Sequence, residues 1–236
     1  MLERAAAAGI ERLLVPGWDL ASSIAALELA ARHPTMIRAA VGVHPHYAAQ
    51  TVARDWQALE ALADDPLCAA VGEIGLDFHR NLSPPDVQRE AVGRQLATAA
   101  RRGLPVLVHD RDAHEEVTAL LLAWNGLPAG RARGILHAFS GDAVMAASLT
   151  AAGFLVSFAL PVAFRSAIGP RDAAQSVASG SYLVETDAPY LGPDREGRNE
   201  PTTVLRIAGE LAALRETDAA TIAADVRGAF DRLIGL

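Results

Sequence analysis

Four ionisable side chains close four separate apolar runs in this 236-residue chain. Glu73 lies within residues 67–77, His109 ends residues 105–109, His137 ends residues 134–137, and Asp187 ends residues 182–187. Short apolar runs of this kind read as strands covered on both faces. An acid or imidazole at the end of such a strand is costly unless something pairs with it. Two carboxylates and two neutral imidazoles form a donor set that a divalent metal takes, with positions left open for water. The metal would polarise a scissile bond and lower the pKa of its water. Asp187 would hold that water and accept its proton, and Glu73 would bridge two ions where two are bound.

Each residue has a plainer reading when taken alone. A strand-end histidine is often structural. Asp187 could form the turn before Ala188-Pro189, and Glu73 could be an interior ion-pair partner. The four together, each at the same end of its own strand, favour one shared site. His44 closes the run at residues 36–43 and is placed on the same rim, touching substrate, while His46 only steers its loop. Arg111, two past His109, suits a phosphate clamp; an ion pair with Asp112 is the competing reading. Glu185 falls on the same face as Asp187 and could support a ligand through a hydrogen bond. His33, His79 and His114 read as structural or surface groups.

The elements that must position these groups alternate regularly. Strands are expected over residues 12–16, 36–43, 67–77, 105–109, 134–137, 154–158 and 182–187. Helices are expected over 2–8, 19–33, 52–64, 85–102, 112–124, 142–152 and 162–178, with two more after a polar loop at 191–200. Asp19 supplies an N-cap, Ser83-Pro84-Pro85 opens the long helix, and Gly103 stops it. This alternation implies an α/β fold, a TIM (β/α)₈-type barrel forming one domain over residues 1–236. A doubly wound sheet would want a Gly-rich turn after its first strand, and Val15-Pro16-Gly17-Trp18 is not one.

Composition excludes several chemistries. The net charge of −7 gives no global basic field, so contact with nucleic acid would rest on a few Arg and bound metal. A single cysteine, Cys68, excludes a disulfide framework and a Cys-rich zinc module. All 21 basic residues are Arg. That removes Schiff-base aldolases, lysine-anchored PLP enzymes, Walker-type phosphate loops and sites bridged by a carbamylated lysine. No apolar run approaches the ~20 residues of a membrane span, and Glu3, Arg4 and Glu11 interrupt any signal-peptide core. The expected location is soluble and cytoplasmic, with no membrane partner.

Five blocks carry a resemblance. Gly42-Val43-His44-Pro45-His46, Val71-Gly72-Glu73-Ile74-Gly75-Leu76-Asp77, His109-Asp110-Arg111-Asp112-Ala113, His137-Ala138-Phe139-Ser140-Gly141 and Glu185-Thr186-Asp187-Ala188-Pro189 resemble, in order, the signature blocks of the TatD family of metal-dependent deoxyribonucleases. The resemblance implies a TIM barrel of the amidohydrolase superfamily. It implies hydrolysis of DNA phosphodiesters, commonly from 3′ to 5′ on a single strand or 3′ end. One or two divalent ions would serve, Mg²⁺ first, with Zn²⁺ or Mn²⁺ as alternatives. It carries metal-ligand roles onto Glu73, His109, His137 and Asp187, with Glu73 where other superfamily members place a carbamylated lysine.

The resemblance also sets expectations about the start. The family usually opens with a strand ending in a His-x-His pair that ligates one metal. No His precedes His33, and residues 1–8 read as the helix after that strand. The expected architecture is therefore a barrel lacking its first strand, its upstream segment lost through a misassigned start or trimming. Residues 12–16 and 182–187 would border the gap, and at most one metal would be well held. Two other functions stay open: hydrolysis of a small ester, amide or phosphate, and a truncated barrel with little activity. The discriminator is whether Arg80, Arg111, Arg165, Arg195 and Arg198 gather to bind a phosphate chain.

Overall fold

The computed structural model describes residues 1–128, 130–192 and 198–235. In chain order its elements are α1 (Leu2–Ala7), β1 (Leu13–Pro16), α2 (Leu20–Arg32), β2 (Ile37–Val41), α3 (Ala53–Leu62), β3 (Cys68–Asp77), α4 (Pro85–Arg102), β4 (Val106–Arg111) and α5 (His114–Ala123). They continue as β5 (Gly134–Leu136), α6 (Ala143–Ala151), β6 (Phe154–Phe158), α7 (Ile168–Ser176), β7 (Tyr182–Val184), α8 (Val204–Leu214) and α9 (Ala219–Ile234). Short 3₁₀ turns occupy Pro45–Gln50, Leu160–Ala163 and Pro201–Thr203. The helix expected over residues 162–178 is divided between the second of these turns and α7. Pro170 explains the restart: it lacks an amide and is tolerated only in a helix's first turn, where that amide would be unpaired anyway. Arg195 lies outside the described residues. Among the described residues there are seven strands.

The chain divides into two compact units, Arg12–Leu136 and Met1–Glu11 with His137–Leu236. In the first unit β1 to β5 are parallel and hydrogen-bonded in sequence order. β1 is half-buried, while the apolar residues of β2 to β5 are mostly buried, including Ile37, Ile74, Leu76, Val106 and Leu136. Each such side chain contributes about 1.5–3 kcal/mol by leaving water. Asp19 caps α2 by accepting the Ser22 amide at 2.8 Å, and Gly103 ends α4 in the left-handed region at φ 64°. Strand β3 departs from even register against β4 between Val71 and Ile74, around Gly72 and Glu73. Two glycines are needed there. A Cβ at Gly72 would lie 2.5 Å from the Leu107 Cβ, and one at Gly75, where φ is 137°, only 1.9 Å from the His109 carbonyl oxygen.

In the second unit β6 and β7 are parallel neighbours. Ile207 and Leu211, four residues apart on α8, are fully buried, as are Ile222 on α9 and Phe154, Phe158 and Tyr182 on the strands. Burial and a hydrogen bond to Asp225 push the Tyr182 phenol upward. The short helix α1 buries Ala5, and ion pairs from Arg4 to Glu200 and from Arg227 to Glu11 fasten the N-terminal segment to this unit. Exposed pairs of this kind are screened by solvent and add little to stability.

Two candidate metal centres

The strands end where the chemistry begins. β3 carries Glu73 and Asp77, β4 carries His109, and β2 leads into His44 and His46. In the same unit one ligand atom from each of His44, Glu73 and His109 lies within 4.8 Å of the others. His109 Nδ1 stands 3.1 Å from Glu73 Oε1, and His44 Nε2 stands 3.5 Å from it. The other ring nitrogen of His109 faces Asp77 Oδ2 at 3.1 Å, and His46 Nε2 reaches the same oxygen at 2.7 Å.

Helix α4 holds this arrangement through two buried glutamines, Gln88 and Gln95. They are seven residues apart, hence on one face. Gln95 accepts the Val43 amide at 2.7 Å and donates to the Val43 carbonyl at 3.1 Å, fixing the backbone beside His44. Gln88 does the same at Asp77, accepting its amide at 2.8 Å and donating to its carbonyl at 3.1 Å. The Glu73 amide donates to the Gly17 carbonyl at 2.8 Å, which seats the residue beside the end of β1.

Electrostatics follow from burial and partners. Burial pushes the His44 imidazole from 6.5 down to about 3, against the raising effect of Glu73. The ring is therefore neutral near pH 7. Because folding lowers this pKa, the fold loses stability as pH falls from 6.5 toward about 3. His44 Nδ1 accepts the His46 amide at 3.1 Å, so the neutral ring carries its proton on Nε2 and donates there. Burial raises the Asp77 carboxyl, and hydrogen bonds from His109, the Arg80 amide and His46 together overcome this, holding it well below the usual carboxylate range.

The second cluster lies in the other unit, just past β5 and β7. One ligand atom each from His137, Glu185 and Asp187 again falls within 4.8 Å of the others. Glu185 accepts the Ala138 amide at 2.6 Å through Oε1 and meets His137 Nδ1 at 2.8 Å through Oε2. His137 Nε2 stands 3.0 Å from Asp187 Oδ1. Both strands stop earlier than the sequence suggests, at Leu136 and Val184, so these groups sit on loop backbone. Asp187 itself lies in the left-handed region at φ 55°. Buried Asn199 fixes the loop by donating to the carbonyls of Thr186 and Tyr190 and accepting the Glu200 amide.

Both clusters suit a cation by the chemistry of their donors. Ionised carboxylates only accept, so a proton on His137 Nδ1 serves Glu185 and leaves the Nε2 lone pair facing Asp187. A proton on His109 Nε2 likewise leaves the Nδ1 lone pair facing Glu73. Two acceptors about 3 Å apart repel unless a cation or proton lies between them.

Sequence reasoning singled out Glu73, His109, His137 and Asp187, and each has a ligand atom in one of the two clusters. His44, expected to touch substrate, lies with Glu73 and His109, and Glu185 supports His137. Arg111 is exposed at the end of β4; Asp112 pairs with His79 at 3.0 Å rather than with Arg111. Arg80, Arg165 and Arg198 are also exposed. Asp77, Gln88, Gln95 and Asn199 were missed. The signal for the glutamines was a polar pair at helical spacing on the otherwise apolar face of α4, and that for Asp77 was its place as the acid ending residues 67–77; Asn199 gave no comparable signal.

These features define a class: an α/β protein of TIM-like fold whose strand ends carry imidazole and carboxylate, a metal-dependent hydrolase. A family model described as TatD-related DNase matches residues 1–235, and the chain belongs to that family. A protein of Erwinia tasmaniensis named 3′-5′ ssDNA/RNA exonuclease TatD is 35% identical, covering 100% of this chain and 93% of that one. An uncharacterized metal-dependent hydrolase of Bacillus subtilis, YabD, is also 35% identical, covering 92% of this chain and 84% of its own. The crystal structure of YJJV, a TatD homolog from Escherichia coli K12, superposes with a TM-score of 0.91 at 30% identity, covering 100% of this chain and 90% of that chain.

Proposed function

We propose that this single-domain enzyme removes nucleotides from the 3′ end of single-stranded DNA by metal-dependent hydrolysis. What carries the reading is the paired arrangement of an imidazole nitrogen and a carboxylate oxygen at about 3 Å in each cluster, in a chain similar to proteins named as exonucleases. Glu73 with His109, and His137 with Asp187, are the pairs that would hold divalent ions, Mg²⁺ first among them. When bound, such an ion polarises the phosphate and acidifies its water.

The chain's own residues do the rest. Asp187 accepts the proton of the attacking water, for which a partly exposed carboxylate is suited. Glu185 keeps the His137 proton on Nδ1, so that the ring presents Nε2 beside Asp187. His44, neutral and carrying its proton on Nε2, donates to a substrate oxygen. Arg111, exposed at the strand end, binds a phosphate of the strand. Because the net charge is −7, these contacts are local, and activity should fall several-fold as monovalent salt rises through the physiological range.

The deciding experiment is digestion of end-labelled single-stranded DNA with and without Mg²⁺, beside a His137→Ala control and an RNA strand of the same sequence. Stepwise shortening from the 3′ end that needs the metal and His137 is the expected result. A fully metallated protein that leaves every strand intact would overturn the proposal and favour a small ester, amide or phosphate substrate.

A further inference from the structure

We propose that Asp77 is a positioning residue that decides which ring nitrogen of His109 carries the proton, and that it binds His46 into the same arrangement. The inference rests on reading His109 as a metal ligand, but its test needs no substrate. Asp77 is 1% exposed, and four donors surround its carboxylate. Oδ1 accepts the backbone amides of His79 at 3.0 Å and Arg80 at 2.7 Å. Oδ2 faces Nε2 of His46 at 2.7 Å and Nε2 of His109 at 3.1 Å. The backbone of Asp77 is itself held from both sides by Gln88, so the carboxylate cannot move to suit the rings; the rings must suit it.

An ionised carboxylate has no proton to give, so each imidazole must turn an N–H toward Oδ2. A neutral imidazole has one N–H. Placing it on Nε2 leaves Nδ1 of His109 as a lone pair directed toward Glu73 Oε1, 3.1 Å away. Asp77 thus converts a ring that could present either nitrogen into one that presents Nδ1 alone. Orienting carboxylates of this type typically set ligand basicity as well as direction. His46, on the 3₁₀ turn after β2, shares the same oxygen. It is therefore a second tie on the Asp77 carboxylate rather than only a loop residue.

The isosteric variant Asp77→Asn makes a sharp prediction. The two backbone amides can only donate, so the Asn oxygen must face them and its NH₂ must face the rings. His109 would then accept at Nε2 and move its proton to Nδ1, toward Glu73. Histidine tautomers can be read in metal-free protein by two-bond ¹H–¹⁵N NMR at about pH 8.5, where an ordinary imidazole is neutral. The expected result is Nε2–H on His109 in the wild type and Nδ1–H in the variant, with His137 unchanged as an internal control. Calorimetric titration with Mn²⁺ should then show affinity weaker by about 10–100-fold in the variant. A wild-type His109 found as the Nδ1–H tautomer or as an imidazolium overturns the proposal without any variant. So does a His109 tautomer that survives the substitution, a flip that leaves Mn²⁺ affinity unchanged, or a change in which His137 moves too. Absence of nuclease activity in the wild type would instead count against the proposed reaction and leave the tautomer result standing.

Discussion

The two clusters use the same pairing but are built and held differently. In Arg12–Leu136, three imidazoles and two carboxylates crowd together, with His44 and Asp77 buried, and the backbone beside them is clamped by glutamines from an 18-residue helix. In the other unit, one imidazole lies between two carboxylates, partly exposed, on loop segments clamped by a single asparagine. In each cluster the pair left facing a cation is one imidazole nitrogen and one carboxylate oxygen, Glu73 with His109 and Asp187 with His137, so the difference lies in how the pair is held rather than in its donors. A helix-clamped site keeps its geometry with or without a ligand. A site on loops depends on a few hydrogen bonds and opens more readily. The proton transfer proposed for Asp187 would fall on the looser, more accessible cluster.

The largest effect should come from Asp187→Asn. The amide keeps the shape but cannot accept a proton from water, and hydrolysis should fall by about 10²–10⁴-fold in a single-turnover assay at saturating metal. The urea midpoint should stay close to that of the wild type. Wild-type rates would break the contrast, because proton transfer would then not belong to the loop cluster.

A smaller effect is expected from Glu185→Gln. Its oxygen must still accept the Ala138 amide, which turns the NH₂ toward His137 Nδ1 and moves the ring proton to Nε2, beside Asp187. Metal affinity and activity should both fall by about 10–100-fold, with rescue by raised metal concentration. Loss of activity that no metal concentration rescues would show that Glu185 acts on the substrate instead of on the ring.

The smallest should be seen in stability. Asn199→Ala removes the clamp on Thr186 and Tyr190 and should cost about 1–3 kcal/mol by urea denaturation. Hydrogen exchange should accelerate around residues 185–192 and stay unchanged at β3 and β4. Acceleration that spreads through both units would contradict the idea that the two clusters are fastened separately.

Much of this could be read without coordinates, and the reasons are local. The alternation of strands and helices follows from apolar runs and periodicity, and Asp19, Pro85 and Gly103 act within a turn of their own positions. No helix among the described residues is long and apolar enough to cross a membrane, in keeping with the short apolar runs. Glu73, His109, His137 and Asp187 were visible because an ionisable group at the end of an apolar run is out of place. Less legible were the points where strands β5 and β7 stop, since the last ladder bond is set by pairing with a neighbouring strand and not by the character of the residue.

What the sequence by itself determined, then, is which ionisable residues stand beside the apolar runs and which chemistry they can do. Only the tertiary structure decided who partners whom. His109 meets Asp77 across 32 positions, His137 meets Glu185 across 48, and Gln95 grips Val43 across 52. Periodicity carries no information over such separations. The proton on an imidazole is set by whichever acceptor the fold places beside it, so the ligating atom of each histidine is a property of strand register and helix packing.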